Sequence, residues 1–226
     1  TSFAVPMVSG AAALLIEEVG KDIELADAGR SEVIKALLMA GATKQEFASW
    51  SHSPTAPLDR RFGVGELNVY NSHQILHAGE QDFSVDAEVK LSGWDYGIVG
   101  KDRANHYYMR VPPDRLVVEC SAVLVWNRRI TDTDPSSFFA ADAELPDHDL
   151  MLYEARAFEP GLLLDVSRSR NDNVEHIYYL GQMKDGLALS VASRTGGDYA
   201  LAWRMTTVRR PSLDPSEPLG EAAAAR

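Results

Sequence analysis

The sequence predicts an α+β protein in two parts. A helical segment spans about residues 1–80 and an antiparallel all-β sandwich of jelly-roll type spans about 81–206, with a flexible tail over 207–226. Two observations carry this division. Up to about residue 78 apolar residues recur at spacings of three and four, and beyond 81 they recur at spacings of two. The second part also holds seven or eight short strand-like runs with turn signals between them and no intervening helix, the pattern of a sandwich. A composition of 45% hydrophobic and 24% charged residues supplies enough apolar mass for a core.

The first helix is expected over residues 1–20, where Val5, Val8, Ala12, Leu15, Ile16 and Val19 form one apolar stripe. Pro6 is tolerated near the first turn and Gly20 stops the helix. A second helix is expected from Ser31, as N-cap, to Gly41, with Val33, Ile34, Leu37 and Leu38 as its buried face. Residues 42–61 read as loop, and Gly63-Val64-Gly65 as a tight backbone passage into a third helix capped by Asn68. In the β part, Tyr107, Met109 and Val111 fall two apart, as do Leu116, Val118, Cys120, Ala122, Leu124 and Trp126, the mark of half-buried strands. Further strands are expected at 150–154, 162–166, 175–180, 186–192 and 198–205. Pro112-Pro113-Asp114, Pro160-Gly161, Lys184-Asp185-Gly186 and Gly196-Gly197-Asp198 are the turns.

Several function classes fall away on composition. With 22 basic and 33 acidic residues the chain carries a formal charge of −11, which repels a phosphate backbone, so no nucleic-acid partner is expected. No apolar run reaches the ~18–20 residues of a membrane span. A lone cysteine, Cys120, excludes an internal disulfide and a Cys-x-x-Cys metal site, and its apolar surroundings mark it as a buried hydrophobe.

The segment Thr1-Ser2-Phe3-Ala4-Val5-Pro6-Met7-Val8-Ser9-Gly10 has a chemistry of its own. A serine entering a helix places its hydroxyl and its N–H at the positive end of the macrodipole, where charge developing on a substrate oxygen is stabilised. The small residues behind it allow close packing. This segment resembles the serine motif of the subtilisin-like peptidases, Gly-Thr-Ser-x-Ala-x-Pro-x-Val-x-Gly, at every position after the first. Arg61-Phe62-Gly63-Val64-Gly65-Glu66-Leu67-Asn68-Val69 is similar to the Gly-x-Gly-x-x-Asn passage into that family's last catalytic-domain helix, so the resemblance covers about residues 1–78.

The resemblance implies that Ser2 is the nucleophile attacking a peptide carbonyl, with its own N–H as one oxyanion donor. Two other readings of the pair are a plain helix cap and an N-terminal threonine nucleophile at Thr1. The family's Asp and His motifs and its oxyanion asparagine lie upstream of the serine motif and do not occur here. None of His52, His73, His77, His106, His148 and His176 is followed by glycine. The chain is therefore expected to be the C-terminal portion of a longer, secreted serine endopeptidase, inactive alone. Its partners would be a polypeptide substrate and the upstream part of its own catalytic domain. Lacking the parallel sheet they should cover, residues 1–78 are expected to expose apolar surface.

The strand-rich part resembles the pre-peptidase-type C-terminal β-sandwich modules that follow the catalytic domain in secreted bacterial peptidases. The likeness rests on Gly93-Trp94-Asp95-Tyr96-Gly97, Val125-Trp126-Asn127-Arg128, Asp172-Asn173-Val174-Glu175-His176-Ile177-Tyr178 and Tyr199-Ala200-Leu201-Ala202-Trp203. It implies an accessory role without catalysis, and the alternative reading of the chain is a non-catalytic binding or attachment module with a remnant or pseudo-peptidase segment. Trp94, Trp126, Trp203 and Tyr199 alternate with apolar residues as core aromatics do. No cofactor is implied. His73 and His77 share a helix face, with no third ligand evident in the sequence. Asp132, Asp134, Asp142, Glu144, Asp147 and Asp149 are carboxylates of the kind calcium takes, but their spacing matches no calcium-loop motif and a solvated acidic loop is expected.

Overall fold

The computed structural model describes residues 2–132 and 141–210. The helices are α1 (Ala4–Val19), a 3-10 turn (Ile23–Gly29), α2 (Ser31–Gly41) and α3 (Val69–Ala78). The strands are β1 (Glu88–Val89), β2 (Ser92–Val99), β3 (Arg103–Arg110), β4 (Arg115–Val125), β5 (Arg129–Asp132), β6 (Ala141–Glu144), β7 (His148–Arg156), β8 (Glu159–Ser167), β9 (Val174–Met183), β10 (Gly186–Ser193) and β11 (Gly197–Arg209). One sheet has the order β1-β3-β10-β7-β8 and a second the order β2-β11-β4-β9, with β5 and β6 forming a separate ribbon. Apart from the parallel β1–β3 pair, every named-strand pairing is antiparallel. Apart from the β5–β6 ribbon and the β7–β8 hairpin, which stays within one sheet, the chain alternates between the two sheets, which lie face to face as a β-sandwich.

Alternation along the strands builds two cores. Between the sheets, Tyr107 and Met109 of β3, Leu187, Leu189 and Val191 of β10, and Leu150 and Leu152 of β7 meet Cys120, Ala122 and Leu124 of β4, Ile177 of β9, and Leu201, Trp203 and Met205 of β11. On the other face of the four-stranded sheet, Trp94, Val123, Val125, Val174, Ala200 and Ala202 pack against Val33, Ala36, Leu37 and Ala40 of α2 and Ile75 and Leu76 of α3. β4 was expected to be half-buried. Its C-terminal half is instead buried on both faces, because α2 covers the side a free sandwich would leave to water. The helical segment thus finds a sheet to cover, an antiparallel one.

Helix ends tie the two layers together. The Gly41 carbonyl accepts from Asn71 Nδ2 at 2.9 Å, and the Ala40 carbonyl accepts from the buried Ser121 hydroxyl at 2.9 Å. Both are carbonyls that a helix C-terminus leaves without an intrahelical partner. Asn68 caps α3 as expected, accepting from the Asn71 N–H at 3.0 Å. Ser31 does not cap α2. Arg30 holds the N-cap position in extended conformation, and the Ser31 hydroxyl donates to Glu32 instead.

The stripe expected on α1 is only partly used. Ala11 and Leu15 are buried, whereas Phe3, Val5, Met7, Val8, Leu14 and Ile16 are exposed. α1 touches the 3-10 turn and the edges of α2 and α3 but has no sheet beneath it. The unanticipated elements are the 3-10 turn, capped by Asp22 on the Glu24 N–H, the strand β2 and the short strands β1, β5 and β6. The last strand continues past residue 206 to Arg209, and the expected tail beyond 210 lies outside the described residues. Trp94, Trp126, Trp203 and Tyr199 are all buried, and the three indole N–H groups reach the carbonyls of Leu76, Pro146 and Lys90.

Candidate functional site

Ser2 stands in the turn leading into α1 and is exposed. Phe3 occupies the N-cap position with φ −87° and ψ −28°, makes no side-chain cap, and no acidic residue lies in the first turn. Among the described residues no side chain caps the first N–H groups of α1. Among the described residues no histidine hydrogen-bonds Ser2. His73 and His77 lie beside Glu18, about 24 Å along the axis from Ser2 at 1.5 Å per residue. Thr1 lies outside the described residues.

A pocket with aromatic and charged lining lies elsewhere, where the 42–62 loop folds over the outer face of β4 and β9. The loop is fixed at both ends. Thr43 and Glu66 exchange backbone hydrogen bonds at 2.9 and 2.8 Å. Gly65 holds φ +113°, and a Cβ there would collide with the Thr43 carbonyl, so the tight glycine passage is required. The Asp59 carboxylate gathers the N–H groups of Ser51, Arg61 and Phe62, which holds its pKa down, and Trp50 donates to the Gly63 carbonyl at 2.9 Å.

This loop lays Lys44 against the sheet. The residue is 4% exposed, and its ammonium, without a hydrogen-bond partner among the described residues, lies 4.2 Å from the Tyr178 ring centre and 5.2 Å from that of Trp50. Burial pushes the Lys44 pKa down to about 8, opposed by the nearby Glu119 carboxylate. Glu119 is itself held by Arg204 at 2.6 Å and by the Tyr178 hydroxyl at 2.9 Å. His52 completes the rim, with Nε2 at 3.5 Å from Asp165, and His176 lies fully buried beneath Trp50, kept neutral by burial and by the facing Lys44 and His52. The resulting groove, about 680 Å³, is lined by Lys44, Phe47, Trp50, His52, Glu119 and Tyr178. It combines aromatic walls with a cation sealed behind them, a setting suited to an aromatic ligand.

The fold also supplies what the sequence lacked beside His73 and His77. Glu18 of α1 brings its carboxylate next to the two imidazoles of α3, and one ligand atom from each of the three lies within 4.8 Å of the others. The acidic stretch is divided by the structure. Glu144 faces Arg129 at 4.0 Å, Asp147 faces Arg194 at 3.7 Å, and Asp142 sits in the β5–β6 ribbon opposite Thr131. Asp134 lies outside the described residues.

Two serine–histidine contacts occur within the sandwich. His106 Nδ1 lies 2.7 Å from Ser190 Oγ, and His148 Nδ1 lies 2.8 Å from Ser193 Oγ. Both hydroxyls are buried, and among the described residues no carboxylate hydrogen-bonds either ring, so neither pair has the third member of a triad. Ser193 Oγ instead joins the Asp147 carbonyl to the N–H of Gly196 and fixes a turn.

Sequence comparison finds no matching family model and no matching curated protein. Structural comparison finds matches of low score, each over about half of this chain. The pre-peptidase C-terminal domain of a collagenase from Bacillus anthracis is 12% identical, with a TM-score of 0.34, over 52% of this chain and 92% of its own. The Yersinia pseudotuberculosis-derived mitogen is 13% identical, with a TM-score of 0.33, over 55% of this chain and 91% of its own. The periplasmic inhibitor of g-type lysozyme from Aeromonas hydrophila is 12% identical, with a TM-score of 0.32, over 56% and 94%.

Proposed function

We propose that this chain is the C-terminal portion of a secreted subtilisin-like serine endopeptidase, joined to a non-catalytic β-sandwich accessory module. The observation that carries the reading is the sequence register of Thr1, Ser2, Ala4, Pro6, Val8 and Gly10, with Ser2 in the turn leading into α1. Ser2 is then the nucleophile. An upstream His takes its proton, an upstream Asp orients that His, and the Ser2 N–H receives part of the charge on the tetrahedral intermediate. The exposed Val8 and Ile16 of α1, together with Ile34, Leu38 and Met39 of α2, line an apolar groove of about 450 Å³ that an upstream part of the catalytic domain would cover. The strand orders of the two large sheets fit a jelly-roll, an eight-strand double Greek key to which β1, β5 and β6 are additions.

Extracellular placement follows from the family resemblance alone. No helix among the described residues is long and apolar enough to cross a membrane. The test is hydrolysis of a denatured protein substrate by the full-length polypeptide and by its Ser2→Ala form. Activity lost on substitution supports the reading, and an upstream region without Asp-x-Gly and His-Gly motifs overturns it.

A second reading, a binding or attachment module without peptidase activity, is favoured by the Lys44 groove. It requires a full-length protein that does not cleave peptides and a ligand whose binding is lost in Lys44→Met.

A further inference from the structure

We propose that Glu18, His73 and His77 form a zinc-binding site that ties the C-terminal end of α1 to α3. His73 and His77 stand four residues apart on α3, so both imidazoles project from one face, with ring centres 4.2 Å apart. Glu18 approaches from α1, its Oε2 3.8 Å from His77 Nε2. One ligand atom from each residue lies within 4.8 Å of the others. Two ligand atoms at about 2.0–2.1 Å from a tetrahedral zinc ion stand about 3.4 Å apart, so small side-chain rotations close the site.

The donor set selects the ion. Two imidazoles and one carboxylate suit zinc and its transition-metal neighbours, whereas calcium and magnesium prefer all-oxygen shells. Glu18 is already oriented for the task. Its other oxygen accepts from Lys21 Nζ at 2.8 Å, and Lys21 also reaches Glu17 at 3.1 Å, which leaves Oε2 facing the imidazoles. Glu18 and His73 are half-buried and His77 is exposed, so the fourth position opens to water. Among the described residues no other three metal-ligating side chains converge in this way.

The site has a structural consequence. α1 buries only Ala11 and Leu15 against its neighbours, so its docking is weak for a helix of its length. A bound ion crosslinks α1 to α3, and α3 is anchored through Ile75 and Leu76 in the core beneath α2. The ion lies at the far end of α1 from Ser2, so the inference does not depend on the peptidase reading.

The test uses chelator-treated protein without a histidine tag, titrated with Zn2+ at pH 7.5 against a competing indicator. The expected result is one zinc per chain, unaffected by millimolar Ca2+ or Mg2+. His73→Ala, His77→Ala and Glu18→Gln should each weaken binding by at least about 10-fold, while His106→Ala leaves it unchanged. Zinc should also slow amide exchange in the last two turns of α1 in the native protein and not in His77→Ala. All four positions are at least partly exposed or carry no core packing role, and unchanged circular dichroism confirms folding. Absence of stoichiometric binding, or binding that survives His77→Ala and Glu18→Gln, overturns the proposal.

Discussion

The ammonium of Lys44 lies 4.2 Å above the centre of the Tyr178 ring, while the Tyr178 hydroxyl donates to Glu119 on the same sheet face. A lysine from a connecting loop is thus sealed against the sheet by aromatic faces. A ring quadrupole replaces only part of the hydration an ammonium loses, and the depressed Lys44 pKa of about 8 follows from that deficit.

A stability profile tests this arrangement. Between pH 8 and 10.5 the folded chain binds fewer protons at Lys44 than the unfolded chain, so this residue makes stability rise with pH there, by at most about 1.4 kcal/mol per pH unit. Lys44→Met is expected to lose that rise and to be at least as stable as the parent at pH 7. Denaturant midpoints across the window check it.

Asp95 has the opposite sign. It is 2% exposed, accepts from the Tyr107 hydroxyl, and its pKa is pushed up to about 7, chiefly by burial, with Asp82 and Glu80 adding to the rise. Between about pH 4 and 7 the folded state holds a proton here that the unfolded state releases, so this group makes stability fall as pH rises. Asp95→Asn is expected to remove up to about 1.4 kcal/mol per pH unit of that slope. Glu175 and the buried histidines titrate alike in both proteins and cancel in the difference.

Gly65 tests how the groove is built. Alanine there would hold an unfavourable φ of +113° and meet the Thr43 carbonyl. Gly65→Ala is expected to destabilise by more than about 1 kcal/mol and to shift Trp50 fluorescence as the loop lifts from the sheet. An unshifted spectrum with unchanged stability would contradict the clamping role.

Much of this architecture is legible in the sequence where one local cause acts alone. Asn68 caps a helix because its side chain and the Asn71 N–H suffice, and the period of two from Cys120 to Leu124 lies in a true strand, whereas a bulge between Val117 and Glu119 turns Val117 into the core in place of Leu116 and Val118. β2 was missed because Trp94, Asp95 and Tyr96 do not alternate. Trp94 faces the helices and Asp95 faces the tyrosines, so both sides of the strand are occupied. Ser31 lost its cap to Arg30 because the turn before it sets the helix start one residue earlier. The sites are harder still to read. Lys44 sits in a loop with no motif, and its environment comes from Glu119, Tyr178 and Arg204. Glu18 lies about 55 residues before His73, and only the packing of α1 on α3 makes it a neighbour.

The most direct measurement on the central reading is active-site labelling of the full-length polypeptide with a fluorophosphonate, followed by mass mapping. The expected result is a single adduct on Ser2, blocked by prior denaturation and absent from Ser2→Ala. A native, full-length protein that takes no label, or takes it at another serine, would contradict the assignment of Ser2 as nucleophile.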